Sequence, residues 1–195
     1  MSYELISTMR KDVVMADDEA AYILSYFKEQ QFRRNTVLLH AGEVAHEVFF
    51  VTQGSLHQFY NDEAGNERTC NFTFENEFAT DLESFSKKTV SASTIKTLTP
   101  TTCLTITCSD LVPLMKESRA MNDFFFLLVE RIAAASIRRT KALLSSTPEK
   151  QFLDLLEEKP EIIQRVPQRY IAQYLGIAPE SLSRIRKRLI PAKKP

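Results

Sequence analysis

The chain has 195 residues, 44% of them hydrophobic and 26% charged, with 25 Lys and Arg balanced by 25 Asp and Glu. That length and balance fit one or two small folded domains and exclude a disordered or collagen-like chain. The longest apolar run, Phe124 to Val129, falls far short of the ~18 residues of a membrane span, and the start lacks the basic-then-apolar pattern of a secretory leader. A cytoplasmic protein with no membrane partner is expected.

The charge is unevenly distributed. Residues 1–110 hold nine basic and sixteen acidic side chains, a net of −7, whereas residues 161–195 hold eight and two, a net of +6. An acidic body with a basic end suits contact with a polyanion, although a solvated basic tail would look the same. Cys70, Cys103 and Cys108 are odd in number and lack C-x-x-C spacing, which argues against a disulfide framework or a thiolate metal site. His40, His46 and His57 lack paired-ligand spacing, so no metal is expected.

In chain order, Asp17 to Gln30 predicts a helix, with Ala20, Ile23, Leu24 and Phe27 at three- and four-residue spacing. From Asn35 to Cys108 the pattern becomes short apolar runs: Val37–Leu39, Val48–Val51, Leu56–Tyr60, Cys70–Phe74, Ser91–Leu98 and Cys103–Thr107. Rich in Val, Ile, Phe, Tyr and Thr, they predict an all-β sandwich or barrel, with residues 61–66 forming a hairpin turn. From Leu111 to Leu144 there is no glycine, and Met121, Phe125, Leu128, Ile132, Ala135, Arg139 and Ala142 recur at alternating spacings of four and three. That heptad seam predicts a helix pairing with a second copy, with Phe124, Phe126 and Leu127 widening the apolar face toward the β-domain. The alternative is one buried helix of a monomer, and Arg139 is a costly residue for a seam. Beyond it, Thr147 and Pro148 suit the start of a helix that stops before Pro160.

Residues 168–187 fit a helix-turn-helix. Ala172 is small where two helices must approach, and Gly176 sits where the turn needs positive φ. Ile171, Leu175, Ile177, Leu182 and Ile185 supply the shared core, leaving Glu180, Ser181, Arg184 and Lys187 on the outward face of the second helix. The N-terminal part of such a helix enters the major groove, where Arg binds guanine O6 and N7.

These residues make the chain resemble the Crp/Fnr family of bacterial transcription regulators over nearly its whole length. Gly42 and Gly54 flank the strand Val48–Val51, Gly65 lies in the hairpin and Gly176 in the recognition turn, as in that family. The resemblance implies an α+β fold: a jelly-roll cyclic-nucleotide-binding-like domain over 1–110, a dimerisation helix over 111–145 and an all-α helix-turn-helix domain over 146–195. It implies a homodimer reading a near-palindromic duplex, with RNA polymerase as a further partner. The segment Pro179-Glu-Ser-Leu-Ser-Arg184 is similar to the start of the family's recognition helix. Carried over, Glu180 accepts from a cytosine amino group, Arg184 binds guanine and Ser181 bonds a phosphate, with Gln168, Arg169, Ser183, Lys187 and Arg188 also facing DNA. Pro179 stands where the family often has a basic residue. The family's β-hairpin wing has no counterpart in Ile190 to Pro195, where Lys193 and Lys194 are expected to replace its phosphate contacts.

The sensor half departs from the cyclic-AMP-binding members. Their phosphate-binding segment corresponds to Phe78-Ala79-Thr80-Asp81-Leu82 and Val90-Ser91-Ala92 here, with Ala135 and Ser136 near the adenine position. Thr80 replaces a glycine, Asp81 a glutamate and Val90 the arginine that neutralises the cyclic phosphate. Losing that arginine leaves a buried anion uncompensated, a cost of several kcal/mol, so the resemblance implies no cyclic AMP or cyclic GMP response. No cysteine precedes Cys70 to bind an iron–sulfur cluster, and His57 and Cys70 read as strand residues rather than haem ligands. No cofactor is expected; an unidentified small effector stays open. Two other readings stay open: a ligand-binding or protein-interaction module with a vestigial helix-turn-helix, and a jelly-roll enzyme, for which His40, Glu43 and His46 fall short of a metal cluster. A non-enzyme is expected.

Overall fold

A computed structural model describes residues 3–189. Lys193 and Lys194 lie outside the described residues. Two short helices, α1 (Tyr3–Met9) and α2 (Asp17–Ser25), precede eight strands: β1 (Lys28–Phe32), β2 (Val37–Leu39), β3 (Glu47–Gln53), β4 (Leu56–Asn61), β5 (Glu67–Thr73), β6 (Phe78–Ala79), β7 (Thr94–Thr97) and β8 (Thr101–Thr107). A helix α3 (Leu82–Lys87) interrupts them. Two four-stranded sheets result, ordered β1-β8-β3-β6 and β2-β7-β4-β5. Every strand pair with a recorded register is antiparallel. This is the jelly roll expected from the run of short apolar segments. β3 is buried from Val48 to Val51 because β8 and β6 pair with its two edges. Phe50, Leu56, Ile95 and Ile106 fill the space between the sheets.

The first helix is shorter than its periodicity suggests. α2 ends at Ser25, and Lys28 to Gln30 already belong to β1, paired with Thr105, Leu104 and Cys103 of β8. Pairing to a neighbouring strand overrides the local pattern there. The helical stretch after the roll is likewise two helices, α4 (Cys108–Glu117) and α5 (Arg119–Ser145), broken at Ser118. Ser118 Oγ accepts from the Met121 amide at 3.1 Å, and the Glu19 carboxylate takes the Ser118 hydroxyl at 2.7 Å and the Ala120 amide at 3.3 Å. Glu19 of α2 and Ser118 thus satisfy the Ala120 and Met121 amides at the start of α5, which no residue within α5 can do.

α5 has 27 residues, about 40 Å of helix. Its first turns are part of the roll's core: Phe124 is buried and packs on Phe78, which packs on Phe50, at centroid distances of 5.7 and 4.8 Å. Arg131 forms a two-pronged ion pair with Asp12, which holds the Asp12 carboxyl below its ordinary range. The chain forms two compact units, residues 1–60 with 70–132 and residues 61–69 with 133–195. In the second unit, α6 (Pro148–Glu158), α7 (Ile162–Arg165), α8 (Gln168–Tyr174) and α9 (Pro179–Leu189) enclose Phe152, Leu155, Ile162, Val166, Ile171, Leu182 and Ile185. Thr147 caps α6 by accepting from the Lys150 amide at 3.3 Å, with Pro148 at the first position.

Candidate functional site

The two ends of the chain pose separate questions, and the C-terminal pair of helices comes first. α8 stops because Gly176 takes φ +68°. Its amide then donates to Gln173 O at 3.1 Å, and the Ile177 amide to Ala172 O at 3.0 Å, the double closure that ends a helix with a left-handed residue. A Cβ at Gly176 would meet nothing within 4 Å, so the backbone angle, not space, calls for glycine there. Ala172 is fully buried where α8 faces its neighbours. Of the five residues expected in the shared core, Ile171, Leu175, Leu182 and Ile185 are buried, while Ile177 is only half-buried.

That packing turns the polar side of α9 outward. Pro179, Glu180, Arg184, Lys187 and Arg188 are exposed, and Ser181 and Ser183 half-exposed. Gln168 and Arg169 are exposed at the start of α8. Three of the arginines have internal partners. Arg184 donates to Ser181 Oγ at 3.2 Å. Arg169 lies over the Tyr170 ring at 4.6 Å and donates to its hydroxyl at 2.8 Å. Arg188 forms an ion pair with Glu149 of α6, whose carboxyl lies below its usual range through its own backbone amide and that guanidinium. α9 carries one acid in its first turn and three bases in its last, so its positive charge increases away from the turn.

Several residues of the heptad pattern have contacts within the chain. Met121 is buried in the core of its own unit, and Phe125 and Leu128 are half-buried against that core. Arg139 has its partners in the helical domain. Its guanidinium lies 3.4 Å from the Tyr174 ring centroid and donates to Tyr174 O at 2.8 Å, capping the end of α8. The spacing rule placed Met121 and Arg139 by period alone, and a period cannot tell which of two partners a side chain meets. What α5 leaves exposed is Phe126, Ile132, Ile137, Leu143 and Leu144, together with Ala135 and Ser136.

In the roll, the cassette residues form a closed polar knot. Asp81 precedes α3 and accepts from the Ser84 amide at 3.1 Å, while its Oδ2 accepts from Ser91 Oγ at 2.6 Å and Ser93 Oγ at 3.0 Å. Ser91 and Ser93 are 3% and 6% exposed, so both donors are withdrawn from water. Burial raises the Asp81 pKa, but the hydrogen bonds from Ser91, Ser84 and Ser93 outweigh it and leave it below the ordinary value. The Thr80 hydroxyl donates to Glu47 O at 2.9 Å. Ala79 is buried, and Phe78 and Leu82 half-buried. Val90 is 65% exposed and bridges to Val44, and Ala92 is exposed. Ala135 and Ser136 fall in the second unit. His57 is buried between Phe59 and Phe72, stacked at 5.1 and 5.4 Å, a core position. Burial pushes the Cys103 thiol up to about 12. No group of three or more His, Cys, Asp or Glu among the described residues is placed to hold a metal.

Residues 29–118 match the family described as the cyclic nucleotide-binding domain. No curated protein matches the chain. Among solved structures, FixK2 from Bradyrhizobium japonicum is similar with TM-score 0.73 at 14% identity, over 84% of each chain. The c-di-GMP responsive global regulator CLP of Xanthomonas campestris gives 0.67 at 18%, over 89% of this chain and 91% of its own. The catabolite activator protein of Thermus thermophilus gives 0.56 at 18%, over 90% and 84%. Residues 29–118 thus match the cyclic nucleotide-binding domain, and the chain shares the fold of these Crp/Fnr-like structures.

Proposed function

We propose that the protein is a sequence-specific, DNA-binding transcription regulator, acting in the cytoplasm as a homodimer on a near-palindromic site. The observation that carries this reading is α9: an exposed polar and basic face held over the buried Ile171, Ala172, Leu182 and Ile185 by the Gly176 turn. A helix so presented has the docking geometry of the second helix of a helix-turn-helix, with Glu180 and Arg184 near its N-terminus as base readers and Ser181, Lys187 and Arg188 on phosphates. Gln168, Arg169 and Ser183 complete the face. The exposed apolar residues of α5, Ile132 and Leu143 on one face and Phe126, Ile137 and Leu144 on another, support a second copy as partner, which would set two recognition helices one DNA turn apart. RNA polymerase is the partner such a regulator would meet. The chemistry is recognition, not catalysis.

The reading includes no response to cyclic AMP or cyclic GMP. Val90 brings no charge to a phosphate, and the Asp81 carboxylate is already engaged by Ser91 and Ser93. The first test is binding to a random-sequence duplex across a salt series. Log affinity is expected to fall linearly with log salt, and Lys187→Ala to flatten the slope by about one. Absence of duplex binding at low salt overturns the proposal and favours the interaction module. A calorimetric titration with cyclic AMP is expected to give no heat; micromolar affinity overturns that part.

A further inference from the structure

The loop between α3 and β7 is fastened from several directions. The Ser91 amide donates to Glu43 O at 2.7 Å, and the Gly42 amide to Ser91 O at 2.8 Å. Ser84 Oγ donates to Thr89 O at 2.6 Å and accepts the Ala45 amide at 2.8 Å. Gln58 of β4 donates to Ser93 Oγ at 2.8 Å. At the centre, two buried hydroxyls from the loop donate to one oxygen of one carboxylate, Asp81. A buried hydroxyl with no acceptor would cost roughly 1–3 kcal/mol. Ser91 Oγ also lies 2.9 Å from Ser93 O and 3.4 Å from Ser93 Oγ, so Asp81 Oδ2 is the shared, charged acceptor for both hydroxyls rather than the sole acceptor of either.

We propose that Asp81 is an internal ligand: its carboxylate occupies the donors of residues 91–93, so the sensor loop closes with no bound molecule and the protein binds DNA without an effector. This rests on the reading of the protein as a DNA-binding regulator. Ser91 and Ser93 come from beyond α3 and Asp81 from before it, so one charged group joins the two ends of the excursion from β6 to β7. Gln58 extends the chain of bonds onto the sheet. An external anion finds its donors taken, and removing the carboxylate creates a vacancy of its own size.

The experiment is amide exchange on the full chain, with and without sodium acetate as a small carboxylate probe, alongside binding to a duplex. In Asp81→Ala, the amides of Ser91 and Ser93 are expected to exchange about tenfold faster or more, while those of β3 and β8 keep their wild-type rates. Acetate is expected to restore protection in the variant and to leave the wild type unchanged. Asp81→Asn keeps the side chain's size without its charge and serves if the alanine variant fails to fold; it too is expected to lose protection. Duplex affinity of the alanine variant is expected to fall and to return with acetate. Wild-type exchange rates in both variants, or lost protection that acetate leaves untouched, overturn the proposal. Restored exchange with no change in duplex affinity, in a chain whose wild type binds DNA, overturns its link to DNA binding. A wild type that never binds duplex, with exchange behaving as described, sinks the regulator reading and leaves the internal ligand standing.

Discussion

Asp81 shows how little of a site can be read from residue identity. The sequence permits a shortened ribose-binding carboxylate there; in the folded chain it is the acceptor that joins Ser91, Ser93 and the start of α3. Spacing could not show this, because the partners lie ten and twelve residues away across a helix. The groups that hold the carboxylate are neutral hydroxyls and amides, and its folded pKa is depressed. Its contribution to stability is therefore present above the unfolded value of about 3.9 and is lost as pH falls through the lower folded value. The carboxyl-carbon shift of Asp81, followed by NMR, should titrate below that unfolded value; a midpoint at or above it contradicts the bonding described. His57 makes the complementary point. Phe59 is its same-face neighbour two residues on in β4, as period-two alternation conveys, but Phe72 comes from β5, and that meeting of strands no alternation conveys.

At the scale of elements, legibility followed punctuation. Thr147-Pro148 and Gly176 mark helix ends by chemistry that acts within four residues, and α6 and α8 begin and end where those marks stand. Strands β2, β3, β4 and β8 were visible because their residues are apolar or β-branched. β1, Lys-Glu-Gln-Gln-Phe, is an edge strand with a mostly solvated face, and β6 has two residues, so neither offers a pattern to find. Arg139, placed in the seam by its spacing, also stacks on Tyr174 and donates to its carbonyl at the end of α8, a contact that no period conveys. Arg139→Ala should lower the thermal stability of the second unit by ~1–2 kcal/mol, the worth of a charge-assisted bond and a cation–π contact. Arg139→Lys should recover only part of it, because a lysine does not stack flat. Equal stability of all three proteins in denaturant titrations contradicts the cap. Gly176→Ala should cost about 1 kcal/mol or more through the left-handed backbone.

At the scale of the molecule, the acidic and basic ends of the chain fall in different folded elements. The roll encloses its core and its cassette, and the basic α9 lies at the other end of the chain. In α5 a run of apolar side chains is exposed, Phe126 by 64% and Ile137 by 57%. If a second copy covers that run, Ile132→Glu with Ile137→Glu should yield monomers in sedimentation without unfolding the roll, and duplex affinity should fall steeply as the second half-site is lost. A double variant that sediments as the wild type does removes α5 as the subunit contact. The jelly roll and the helical domain were both legible beforehand because each is built from repeated local patterns; which charges are engaged within the chain and which are offered to a partner was not.

The most direct measurement is a selection of bound sequences from a random duplex pool, using purified protein with nothing added. A DNA-binding homodimer should recover a two-fold-symmetric site with half-sites about one helical turn apart, and Arg184→Ala should lose preference at one base pair per half-site. Recovery of no preferred sequence, or of one that Arg184→Ala binds equally well, would contradict that reading.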